Sequence, residues 1–424
     1  RALGNQNAGA ESYNVAVGVD AGLNLTTATN ATLVGGFAGG GAVMTGANNT
    51  AIGRNAGYVL TSGAENVFVG GLAGDGTDDG NFNTAVGYLA LSANCGSNNT
   101  AVGQRSLVSA TGDLNTSIGK EAGTLMSSGQ RCTFVGALAG TSASTMEDTV
   151  AVGNDAGKFA TTAHSSVFIG ADAGQGITGT KLTGNQNTAV GAQAGFLLQG
   201  VAANNNLFGF GAGKAMTTAA HNVCFGVNAG AGVTTGDSNI LIGSGTARIA
   251  ALTGDNNVVI GDSAGEQMTS ANNNIFIGLS TGVSSVAVTT GLQNILIGKQ
   301  ARVNAVDAEN QITMGSAVTC EGNNNFTFGN GATDSNIAFG ETSISAPSDE
   351  RYKEDIATST AGLSFIKDLR PVTFKWKKAK DVPVGHDAYI ADGEEGCNDR
   401  VMLSNGETNH GFIAQEVKAA IDNH

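Results

Sequence analysis

A chain of 424 residues with 64 glycines and only 13% charged residues is no ordinary globular protein, yet its 41% apolar share also sets it apart from a disordered one. The glycines lack the every-third-residue period of collagen. A formal net charge of −14 argues against nucleic acid or an anionic membrane as partners, and neither is expected.

No stretch reaches the roughly 18 apolar residues that a membrane span requires, so membrane insertion is not expected either. The start at Arg1, without a signal-peptide core, reads as a fragment or a processed product. Cys95, Cys132, Cys224, Cys320 and Cys397 show neither C-x-x-C spacing nor a paired framework. They read as small apolar fillers in a chain folded under reducing conditions, and no cofactor or metal is expected.

From the N-terminus onward, a short apolar run ending in glycine returns about every 17 residues. Its anchors run from Gly18, Gly35, Gly53 and Gly70 to Gly298, Gly315, Gly329 and Gly340, twenty in all. The residue before the anchor is apolar in all twenty, from Val17 to Phe339, and is taken as the core position. Four before the anchor stands Asn in fifteen of twenty, and three and four after it Ala-Gly in twelve.

The form N-T-A-V-G alternates as a half-buried strand does. A strand of about four residues cannot bury its face alone, so the rungs must stack, about 4.8 Å apart. Twenty rungs then predict a shaft about 90–100 Å long. Asn at one fixed corner can form a ladder of side-chain amides and tolerates left-handed turn geometry, while Gly and Ala permit tight corners. The Thr row formed by Thr50, Thr84, Thr100 and Thr116 is broken by Val15, Val67, Val150 and Val167, which disfavours a flat ice- or glycan-binding face. The calcium-binding nonapeptide unit does not recur.

Rungs such as Asn98-Asn99-Thr100-Ala101-Val102-Gly103 resemble the head repeats of trimeric bacterial surface adhesins and the repeat shafts of phage tail fibres. The resemblance covers most of residues 1–345 and implies a trimeric β-solenoid.

Near residue 347 the composition switches. Residues 1–347 hold 32 charged residues, residues 348–424 hold 24, and Pro347 is the earliest of the three prolines. The segment from Ser348 opens with an N-cap, and Gly362 to Leu369 carries helical spacing before Pro371 stops it. Val372 to Trp376 alternates as a strand, and Gly411 to Ile421 fits a strand passing into an amphipathic helix.

Three motifs in this order, S-D-E-R-Y-K-E-D-I, L-R-P-V-T-F-K-W and H-G-F-I-A-Q-E-V, resemble the C-terminal intramolecular-chaperone autoprotease of phage tail fibres and endosialidase tailspikes. The resemblance implies a domain that trimerises the preceding β-fold and then releases itself. It places the scissile bond at Pro347–Ser348, with Ser348 as nucleophile and Lys353 as its base. Gln415 and Glu416 are candidates to orient that dyad. Only 77 residues follow the cut, fewer than that family's region usually spans, so the chaperone is expected to be incomplete. His386 and His410 are too isolated for a metal site, and Asp387, Asp392, Glu394, Glu395 and Asp399 read as a solvated loop.

The fold expected is mainly β: a trimeric β-solenoid over 1–346, with about 17 residues per rung, and a small α+β chaperone domain over 347–424. The function expected is that of a phage tail fibre or spike shaft for host attachment. It would be assembled in the host cytoplasm and carried in the virion tail. Its partners would be two further copies, other tail proteins and a host glycan or protein receptor, and its only enzymatic activity would be self-cleavage. A polysaccharide-degrading tailspike is the alternative, with Asp75, Asp78 and Asp79 as its carboxylates. A cellular trimeric adhesin is a third reading.

Overall fold

The computed structural model describes residues 1–340 apart from 8, 10 and 284–287, and residues 363–384, 389–394, 397–398 and 409–423. It divides into two compact units, Arg1–Pro347 and Ser348–His424.

In the larger unit each coil is built on one short strand, from β1 (Val15–Val17) through β6 (Thr100–Val102) and β14 (Ile240–Ile242) to β18 (Ile312–Gly315). Each strand up to β19 (Asn325–Gly329) pairs in parallel with the one a coil further on, as where Thr100, Ala101 and Val102 lie over Thr116, Ser117 and Ile118. The result is a β-solenoid of about 18 turns with rungs of about 17 residues.

A three-residue strand points its middle side chain one way and its outer two the other. Ala101 and Leu241 are fully buried, whereas their neighbours Val102 and Ile242 are only half-buried on the outer face. The residue before the anchor glycine is therefore not the core position. Asn four before the anchor and the residue two before it share the inward side by their even spacing, which leaves the residue one before it outside.

Three columns fill the interior. The mid-strand residue meets the Ala three after the anchor and the residue seven after it, as with Phe68, Ala56 and Leu60, all fully buried. In parts of the stack large and small side chains alternate: Phe68 lies between Ala51 and Ala85 in register. The glycine four after the anchor makes room for such rings, since a Cβ on Gly74 would sit 2.6 Å from the Phe68 ring. At the anchor itself a Cβ on Gly53 would lie 2.3 Å from the Gly70 carbonyl oxygen, and its φ of 138° is one that few other residues adopt.

The Asn column forms a buried ladder. Asn222 Oδ1 accepts the Asn239 backbone N–H at 3.0 Å, and the Asn239 amide donates in turn to Asn222 Oδ1 at 3.2 Å and to the Gly254 carbonyl at 3.0 Å. The left-handed backbone expected of this Asn belongs instead to the residue before it, as at Asn48, Glu65 and Arg131, with φ of 61°, 60° and 57°. A second ladder escapes the sequence pattern. On the outer rim Thr217 Oγ1 donates to the Thr234 carbonyl at 3.1 Å, and Thr111 to Ser127 at 3.0 Å, each one coil on.

The twentieth repeat does not continue the coil. β20 (Asp334–Ala338) folds back antiparallel on β19 through a turn in which Asn330 Oδ1 accepts the Ala332 and Thr333 N–H groups at 3.0 and 2.9 Å. The last spacing, 11 residues from Gly329 to Gly340, is thus a hairpin and not another coil. Nineteen parallel strands give 18 steps, or about 86 Å at ~4.8 Å each, in place of the 90–100 Å that twenty rungs predict.

All five cysteines are free and buried. Burial pushes the Cys95 and Cys132 thiols up to about 11, and raises that of Cys224 as well. An unfolded chain releases these protons near 9.0, so the folded form holds more protons between pH 9 and 11. Stability is expected to fall across that window by about 3 kcal/mol for each of the two thiols, and to be unaffected by them below it. Denaturant melts of the Cys95→Ala and Cys132→Ala variants, compared with wild type at pH 7.5 and 10.5, measure this directly. Equal losses in wild type and variants would remove the thiols as the cause.

Candidate functional site

In the smaller unit, α1 (Leu363–Asp368) ends ahead of Pro371, which cannot continue a helix. β21 (Val372–Phe374) then pairs antiparallel with β22 (Asn409–Gly411), placing Val372 opposite Gly411. After β22 the chain enters α2 (Ala414–Asp422), which buries Ala420. The helix, strand and strand-to-helix segments anticipated from spacing are therefore present in order. Phe374 packs edge-on against Trp376, with ring centroids 5.2 Å apart.

Pro347, Ser348 and Lys353 lie outside the described residues. Of the two candidates to support the dyad, Gln415 is exposed on α2, and Glu416 is held by Arg370. The Arg370 guanidinium donates from Nε to Glu416 Oε2 at 3.1 Å and from its second nitrogen to Oε1, a forked pair joining the segment after α1 to the first turn of α2. Arg370 was legible only as part of L-R-P, with nothing to mark its partner. A shallow cleft lined by Asp368, Arg370, Glu416, Ala419, Ala420 and Asn423 lies beside this pair.

Of the loop residues, Lys380 donates to Asp392 at 2.8 Å, and this holds the Asp392 carboxyl below the usual carboxylate range. Among the described residues no three His, Cys, Asp or Glu side chains are grouped to hold a metal ion. His386, Asp387, Glu395 and Asp399 lie outside the described residues.

On the solenoid, Asp75 accepts the Ser92 hydroxyl and burial raises its pKa, while Asp78 Oδ1 accepts the Asp79 N–H at 2.7 Å. The first engagement ties Asp75 to the next coil, and the second stays within one turn. The more extended feature is the outer strand face. Its two columns, one and three residues before the anchor, carry no charged side chain from β1 to β18. Val17 is 58% exposed, Ile118 41% and Phe225 59%.

Together these features define a repeat-built β-solenoid followed by a small terminal unit of helices and a two-stranded sheet. Residues 348–424 match the family model described as chaperone of endosialidase, so the solenoid precedes a domain of that kind. The comparison with curated proteins finds no match. Among the described residues no helix is long and apolar enough to cross a membrane.

Proposed function

We propose that this chain is the shaft of a phage tail fibre or spike used in host attachment, trimerised by its terminal domain and matured by self-cleavage before Ser348. The observation that carries this reading is the order of parts: a long β-solenoid running directly into a chaperone-of-endosialidase domain that begins at residue 348. Such a chaperone has a task here. A stack of short parallel strands leaves an unpaired strand edge and an uncharged outer face open until neighbouring coils and chains cover them, which makes the partly assembled chain prone to aggregation.

The proposed cleavage is chemically self-contained. A lysine whose pKa is lowered by desolvation can serve as a base, and on this reading Lys353 takes the Ser348 hydroxyl proton as Oγ attacks the Pro347 carbonyl carbon. The Pro347–Ser348 C–N bond then breaks, the proton passes to the freed amine, and water hydrolyses the resulting ester. Because the nucleophile sits on its own scissile bond, no substrate has to diffuse in. On this reading the mature fibre resides in the virion and meets a surface glycan or protein receptor.

Native mass spectrometry of the chain expressed with a complete terminal domain tests the assembly. A trimer is expected, accompanied by a mass that ends at Pro347. A monomer of uncleaved chain would overturn the reading.

A further inference from the structure

The outer strand face is not uniform along the solenoid. In the column three before the anchor, the early coils carry mostly Thr, as at Thr50, Thr84 and Thr116, whereas the six coils from β13 (Val223–Phe225) onward carry only Val or Ile. The column one before the anchor changes in the same way, from mostly Val to Phe208, Phe225 and then Ile or Met. The face becomes larger and more apolar toward residue 315. Charges are kept to the corners, as with Arg131 and Asp148, which pair there at 2.6 Å.

We infer that this face binds second copies of the same chain, with the coils from β12 (Asn206–Phe208) to β18 as the tight half where association begins and the Thr-bearing coils closing afterward. The inference rests on the trimeric reading above and names its interface. Three residues of strand width, ~10 Å, over about 86 Å of stack give roughly 850 Å² per chain, close to the ~800 Å² per partner of a stable interface. An uncharged β-branched strip of that size facing water is unusual for a monomer. A copy of itself is the occupant that the face fits along its length. Its coil spacing repeats at ~4.8 Å in every chain, so coils of neighbouring copies stay in step, whereas an unrelated partner would have to reproduce that period.

The face also explains why an apolar residue stands before the anchor in every repeat although the coil's own interior has no place for it. Nucleation at the C-terminal half suits an assembly whose chaperone follows residue 347 in the chain.

Cysteine cross-linking of the full chain tests this, since all five native thiols are buried and give little background. Under mild oxidation Ile242→Cys is expected to yield disulfide-linked pairs of chains. Thr253→Cys, on the exposed rim of hydroxyls, is expected to stay unlinked, with native mass showing trimers for both. Ile242→Asp should weaken assembly at least tenfold more than Val102→Asp, read as the concentration at which trimers dissociate. Trimers in which Ile242→Cys does not link, or links no better than Thr253→Cys, would overturn the interface while leaving the assembly standing. Equal weakening by the two Asp variants would overturn the ordering of the halves, and a monomeric wild type would overturn assembly and interface together.

Discussion

Leu241→Asp is expected to unfold the coils around β14, whereas Ile242→Asp, one residue on, is expected to leave each chain's coil intact. Leu241 is fully buried and its neighbours in register are Cys224 and Val259. Removing its side chain costs about 2–5 kcal/mol, and the new carboxylate meets no cation in that apolar column, which adds several kcal/mol more. In a stack where each coil touches only its neighbours, a loss of that size splits the solenoid instead of softening it evenly. The expected result is a lowered melting temperature and new proteolytic cuts confined to roughly three coils around residue 241. Ile242→Asp should show neither in the coil, because its carboxylate can reach water once chains separate. Equal damage from both variants would mean that the inward and outward columns have been misassigned.

That contrast marks how far the sequence could be read. The period near 17, the strand in each repeat and the stacking of Asn on Asn were all legible, because each depends on spacing that recurs many times. The inward column was not. Apolar residues occupy both outer positions of many strands, as in Val258, Val259 and Ile260, so hydrophobicity alone cannot say which side is the core. The signal available was parity: Asn257 and Val259 lie two apart and share a side, while Ile260 does not. The Phe and Leu at mid-strand, too large for a side lined by the Gly of Ala-Gly unless that Gly makes room for them, would have supported the same choice.

The hairpin at β20 was hidden for a different reason. Asn336 and Gly340 keep the repeat's spelling, and only the spacing of 11, too short to close a coil, distinguishes them. The hydroxyl rim was missed because it shifts between positions eight and eleven after the anchor, as at Thr234, Thr253 and Thr289. In the terminal unit the helix and strand order was readable from Pro371 and the alternation of Val372 to Trp376. The pairing of Arg370 with Glu416 was not, since the two lie 46 residues apart with no local pattern joining them.

The largest effect on the terminal domain is expected at Ser348, where cleavage should be all or none. With a complete terminal domain and a single hydroxyl as nucleophile, Ser348→Ala should leave one uncleaved chain in place of two pieces, seen by intact mass. Lys353→Ala should do the same if that amine is the base, and Lys353→Arg should not restore cutting, because a guanidinium does not give up its proton at neutral pH. If the cut follows folding, as proposed, each variant should still assemble, and native mass should show trimers with the terminal domain attached. Cleavage lost in Ser348→Ala but kept in Lys353→Ala would assign the proton transfer to another group. Arg370→Ala is the informative companion: it frees Glu416 without touching the scissile bond. If the forked pair positions α2 for the reaction, this variant should cut slowly with an unchanged dependence on pH, and Arg370→Lys should recover only part of the rate because it lacks the second donor. Unchanged cleavage in Ser348→Ala would remove the autoprotease assignment and leave the domain as a folding and assembly module.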